Sequence, residues 1–184
     1  MTFSIVGYDP VEKEWGIAVQ SKFLGVGAVV PFAKAGVGAV ATQSYANTTY
    51  GPRALDLFSE GKTAEEALAI LIGDDPDQHL RQVGLIDAHG NPATYTGEGC
   101  YNWAGGVMGQ NFAAQGNILV DESTVQAMAD VFTVTEGNLA DRLLAALAAG
   151  QEAGGDSRGQ QSAALLVVKE KGGYAGFNDR YIDL

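Results

Sequence analysis

Strand-like runs in this chain come in pairs joined by short turns, and helix-like runs come in pairs between them. Phe3–Tyr8 and Gly16–Gln20 are apolar runs on either side of a turn at Asp9-Pro10, the pattern of a hairpin. Ala28–Ala33 and Val37–Thr42 make a second pair, with Gly36 near the turn. Gln82–Asp87 and Ala93–Thr96 flank His89-Gly90-Asn91-Pro92, a third. Tyr101–Met108 and Phe112–Leu119 read as a fourth. Ser162–Lys169 is a strongly apolar strand, and Tyr174–Asp183 a shorter one. A helix is expected after Thr48-Thr49, with Pro52 in its first turn, ending near Ser59 before Gly61. The next starts at Thr63, with Glu66 three residues on as a capping box. Two more are expected at Ser123–Phe132 and Leu139–Ala149. Successive hairpins argue against a parallel doubly wound sheet. They predict an α+β fold: one domain over residues 1–184, two stacked, mainly antiparallel sheets, and a helix layer outside each.

The 184 residues suit one domain with a real core. Apolar residues make up 46% and charged ones 18%, a globular composition. A net charge of -11 with no basic stripe argues against nucleic acid as a partner. The apolar stretch Val26–Ala41 is interrupted by Pro31 and Lys34, so no membrane span is expected. Cys100 is the only cysteine, which points to a reducing, cytoplasmic setting. His79 and His89 are isolated, and no metal or organic cofactor site is expected. Asp74, Asp75 and Asp77 read as a solvated helix end. Gly36-Val37-Gly38-Ala39-Val40-Ala41 loosely matches a dinucleotide-binding motif but opens no amphipathic helix.

Chemistry concentrates at the start. Met1 precedes a small residue, so its removal is expected, leaving Thr2 with a hydroxyl and a free α-amine. A threonine hydroxyl needs a base to act as a nucleophile. An α-amine titrates near 7.7–8.0, so roughly a tenth of it is neutral at pH 7. Such a residue carries its own base. Against this stands the plain reading of Thr2 as an ordinary strand residue.

Lys34 lies in an apolar strand pair. It is either a solvent-facing lysine or an ammonium near Thr2 that depresses the amine pKa. Ser21 and Lys22 close the second strand and would lie beside that site. Ala41–Asn47 leads into the first helix, where backbone N–H groups can hold an oxyanion or be capped by Thr48 or Thr49. Asn117 ends a strand beside Gln115. Asp156 and Arg158 sit in a polar, glycine-rich loop just before a core strand; Asp156 would orient an amine, and Arg158 would hold a carboxylate. Trp103 packs or lines a pocket. Cys100 reads as structural.

Thr2–Val6, Val29–Gln43, Gln115–Leu119 and Gly155–Leu166 together resemble the domain-of-unknown-function family numbered 1028. The resemblance spans nearly the whole chain. That family is grouped with the N-terminal-nucleophile hydrolases, which implies an αββα sandwich with a hydrolase-type site at the N-terminus and no stated substrate. More distantly, Lys34 stands where proteasome-type subunits carry a third-strand lysine, and Gln20-Ser21-Lys22 resembles their acidic-Ser-Arg turn. Two expectations follow. One is an amidohydrolase acting on a small amide or acyl substrate, with Thr2, Lys34 and Ser21 catalytic and Asn47, Asn117, Asp156, Arg158 and Trp103 binding substrate. The other is a small-ligand-binding protein on the same fold. A homodimer is expected in either case.

Overall fold

In the computed structural model, which describes residues 2–184, ten strands form two antiparallel sheets. Met1, whose removal the sequence predicts, lies outside the described residues. The strands are β1 (Thr2–Asp9), β2 (Glu14–Ser21), β3 (Pro31–Lys34), β4 (Gly38–Ser44), β5 (Arg81–Asp87), β6 (Pro92–Thr96), β7 (Gly105–Gly109), β8 (Phe112–Asn117), β9 (Ser162–Lys169) and β10 (Arg180–Asp183). One sheet has the order β10-β9-β2-β1-β8-β7, the other β3-β4-β5-β6. The helices are α1 (Tyr50–Ser59), α2 (Ala64–Gly73), α3 (Ser123–Val134) and α4 (Leu139–Glu152).

Side-chain alternation along each strand sorts residues between layers. From β1, Phe3 and Ile5 join Phe132, Leu139, Leu143 and Ala146 of α3 and α4. Val6 and Tyr8 face the other way, onto Ala39, Ala41 and Ile86 of the smaller sheet. Val40, Val83 and Leu85 on that sheet's outer face pack on Tyr50, Ala54, Phe58, Ala67 and Leu71 of α1 and α2. The result is two sheets face to face with a helix pair outside each. No helix among the described residues is long and apolar enough to cross a membrane.

The hairpin pairings follow the sequence closely, and α2 opens on the expected capping box. Thr63 Oγ1 accepts from the Glu66 N–H at 3.2 Å, and the Glu66 carboxylate accepts from the Thr63 N–H at 2.9 Å. Three local expectations are corrected. Ala28 ends a 3-10 turn, Val26–Ala28, instead of opening a strand, and β3 starts only at Pro31. Gly25 enters that turn with φ 78°, a left-handed conformation suited to glycine. Tyr101–Ala104 is outside β7: Trp103 exchanges main-chain bonds with Leu119, beyond the end of the β7–β8 ladder. Residues 174–179 form a turn, and only Arg180–Asp183 pairs with β9.

Candidate functional site

Thr2 shares the inward face of β1 with Ser4, and here the layer between the sheets changes character. Toward the far end it is aliphatic and aromatic. At the Thr2 end it is built of amides. Gln43, Gln82, Gln115 and Asn117 are buried, two or four residues along from Ala41, Ile86 and Ala113, the apolar inward positions of their strands. Ser4 Oγ donates to Gln43 Oε1 (2.6 Å) and accepts from Gln115 Nε2 (2.7 Å). Gln43 Nε2 donates to Gln82 Oε1 (2.8 Å) and to the Thr2 carbonyl (3.3 Å). Asn117 Nδ2 donates to the same Gln82 oxygen at 2.8 Å. Gln82 Nε2 reaches across to the Gly116 carbonyl at 2.7 Å. Buried polar groups must be paired, and this web pairs them while tying both sheets to the Thr2 main chain.

Thr2 is opposite Ser21 on one side and Asn117 on the other. Its hydroxyl lies 3.0 Å from Ser21 Oγ, and both residues are buried. Ser21 is in turn opposite Ser162. Asp156, also buried, accepts from the Lys22 N–H (3.2 Å) and the Arg158 N–H (2.8 Å). The Arg158 guanidinium is 3.7 Å from the Asp156 carboxylate. Thr2, Ser21, Asn117, Asp156 and Arg158 are thus gathered at one end of the larger sheet, although they span most of the sequence.

Thr2 opens onto a cleft of about 410 Å³ between the sheets. Its polar side carries Gln43, Ser44 and Arg81; its apolar wall is Phe23, Val26, Val29 and Val30; Tyr45 stands at the rim. Ser44 has φ 69° and Ile118, just after Asn117, has φ 53°. Non-glycine residues in this region are strained, and such strain clusters at functional sites.

The cation at the cleft is Arg81. Its Nε donates to Asp75 at 2.9 Å and its Nη1 to the Tyr45 carbonyl at 2.8 Å. Asp75 is buried and also accepts from Tyr50 Oη (2.9 Å), Asn47 Nδ2 (3.0 Å) and the Asp77 N–H (2.9 Å). The Arg81 guanidinium, followed by these donors, holds the Asp75 carboxyl well below the usual carboxylate range. Burial, then the hydrogen bond to Asp75 and that carboxylate's charge, push the Tyr50 phenol up.

Lys34 is corrected. It pairs with Gly38 at the start of β4, next to the hairpin turn, and its exposed ammonium contacts Ser59 Oγ at 3.4 Å. Gly38 and Ser44 are six residues apart, about 20 Å along an extended strand. Lys34 is at the wrong end to act on Thr2. Trp103 is corrected as well: it lines a different cleft with Val125 and Gln126 and packs on the helix-side core. Asn47 adjoins the Thr2 cleft through Ala46, but its amide is committed to Asp75 and its oxygen to the Thr49 N–H and hydroxyl. That bonding replaces the expected threonine cap of α1, where Thr49 makes no side-chain cap. Asp75 is no solvated helix end. Arg81 and Asp75 were not legible as a pair: the one signal is a lone arginine opening a strand after an acidic run.

A family model described as "Family of unknown function (DUF1028)" matches residues 2–184. The crystal structure of protein SPO2555 from Silicibacter pomeroyi, a DUF1028 protein, is similar at 32% identity and a TM-score of 0.87. The likeness covers 92% of this chain and 76% of that one. No curated protein matches the chain.

Proposed function

Since the chain belongs to the DUF1028 family, which carries no assigned function, we propose a function from its own site: an N-terminal-nucleophile amidohydrolase acting on a small amide or acyl substrate. The arrangement of two sheets between helix pairs is then of the N-terminal-nucleophile hydrolase type. The observation that carries the reading is the Thr2 hydroxyl, buried at a strand start, 3.0 Å from Ser21 Oγ and open to a cleft. Thr2 is held on both edges by strand pairing, with Ser21 and with Asn117.

In this reading, loss of Met1 frees the Thr2 amine. Thr2 Oγ1 adds to the substrate carbonyl carbon, and the amine takes the hydroxyl proton. Collapse expels the leaving amine with that proton and leaves an ester on Thr2. Water then attacks the ester carbonyl carbon, the same amine taking its proton; the acyl C–Oγ1 bond breaks, the acid is released and the proton returns to Thr2 Oγ1. Ser21 orients the Thr2 hydroxyl. The main-chain N–H groups of Ser44 and Ala46 are the oxyanion donors; that of Tyr45 is bonded to the Leu80 carbonyl. Asp156 and Arg158 shape the loop flanking Ser21.

The test is intact mass after treatment with a β-lactone probe. A Met1-free protein carrying one adduct, mapped to Thr2, is expected. Thr2→Ala should abolish labelling and lower any amidase turnover at least about a thousandfold, with an unchanged circular-dichroism spectrum. Retained Met1 with no adduct, or full activity in Thr2→Ala, would sink the mechanism.

A further inference from the structure

The chemistry of the cleft wall limits what can enter it. Phe23, Val26, Val29 and Val30 all line it, and all come from the connection between β2 and β3. Val26 and Val30 are anchored in the core between the sheets. Phe23 is 50% exposed beside the opening. Apolar surface displayed at the mouth of a cleft marks a place where apolar ligand surface binds. The volume, about 410 Å³, is within the range of small-molecule sites.

The single charged side chain on the lining, that of Arg81, does not offer a free charge. Arg81 spends Nε on Asp75 and Nη1 on the Tyr45 carbonyl, and its Nη2 is 3.6 Å from Asp77. A substrate carboxylate pairing with the Nε–Nη2 edge of Arg81 would have to displace Asp75, which is itself fixed by Tyr50 and Asn47. Displacement would strand a buried carboxylate, a large penalty. A substrate cation would meet Arg81 and find no carboxylate on the lining. Lys22 and Arg158 are outside it, on the Ser21 side of Thr2.

We propose that this cleft takes a neutral, aliphatic acyl group, with its carbonyl at Thr2 and its hydrocarbon along the valine wall. The assignment of the carbonyl end rests on the nucleophile reading above; the preference for an uncharged chain does not. Each methylene that reaches the wall should tighten binding about three- to fourfold. Charge at the far end of the chain should weaken it.

The experiment is calorimetric titration of the full-length Thr2→Ala protein, which cannot turn substrate over. The ligands are butanamide, hexanamide and octanamide, together with adipic acid monoamide and 6-aminohexanamide. Affinity is expected to rise about three- to fourfold per methylene until the cleft is filled, and the two charged amides to bind at least about tenfold more weakly than hexanamide. Val29→Asp should remove the chain-length dependence. Phe23→Ser, at an exposed position, should flatten it without risk to the core. Equal or tighter binding of a charged amide, no binding by any member, or an unchanged series in both variants would overturn the proposal. The two readings fail separately. Amide binding in a protein that retains Met1 and carries no β-lactone adduct on Thr2 sinks the nucleophile alone. Labelled Thr2 with a preference for charged amides sinks the aliphatic chain alone.

Discussion

At the scale of single residues, the Thr2 site turns on which cation stands near it. Lys34 is exposed and bonded at most to Ser59, so Lys34→Ala should change stability by less than about 0.5 kcal/mol. It should also leave β-lactone labelling of Thr2 unchanged. Asp75 is the opposite case. It and Arg81 have side chains only 6% and 16% exposed. Asp75→Ala leaves a guanidinium, a phenol and an amide without their acceptor, and breaking such a pair costs about 3–5 kcal/mol, read from urea melts at pH 7. The folded pKa of Asp75 is depressed. Its ionised form is therefore favoured by folding, and the contribution is fully present above the unfolded value of about 3.9. As pH falls below that value the contribution is lost. The stability gap between the native protein and Asp75→Asn should hold from about pH 5 to 8 and shrink steadily below about pH 4.

At the scale of elements, β5 is the strand on which the site depends. Arg81 opens it, and Gln82 follows on its inward face. Gly84, the next inward position, lets the Gln115 side chain cross from the other sheet: a Cβ there would lie 2.1 Å from Gln115 Oε1. Because Gln115 is held by Ser4, it has nowhere to move without breaking that bond. Gly84→Ala should cost about 1–3 kcal/mol, measured by thermal unfolding, and should slow Thr2 labelling. Much at this scale was legible. The Thr63–Glu66 box opens α2 as its residue types require, and the alternation of β1 places Thr2 and Ser4 on one face. Ala28–Val30 was misread as the start of a strand because β-branched residues such as Val29 and Val30 favour strands wherever they occur. Here main-chain bonds from Val29 and Val30 back to Val26 close a turn instead. That turn supplies the apolar wall of the cleft.

At the scale of the whole molecule, the sheets are joined by apolar packing at one end and by amides at the other. Gln82 is the hub of the amide end, accepting from Gln43 and Asn117 and donating to Gly116. Gln82→Leu leaves buried donors with one acceptor fewer, which costs about 1–3 kcal/mol. Hydrogen exchange should show the loss concentrated where Thr2 pairs with Ser21 and Asn117, rather than at the far ends of β1 and β2. Uniform loss of protection across both sheets would count against a local role for the network.

The sequence by itself determined the hairpins, the helix boundaries at Thr63 and Gly61, and the face that Thr2 and Ser4 share. These follow from local rules: side-chain period, capping chemistry and turn residues act within a few residues of one another. Tertiary structure decided which groups meet Thr2. The pairings of Thr2 with Ser21 and Asn117, and of Ser44 with Arg81, depend on strand register. A shift of one residue would have turned each partner to the other face. The same long-range packing carried Lys34 to the far end of β4, and brought Arg81 and a buried Asp75 to the cleft instead. Spacing along a chain does not encode distance across two packed sheets, and so the charge beside the candidate nucleophile was settled by the fold.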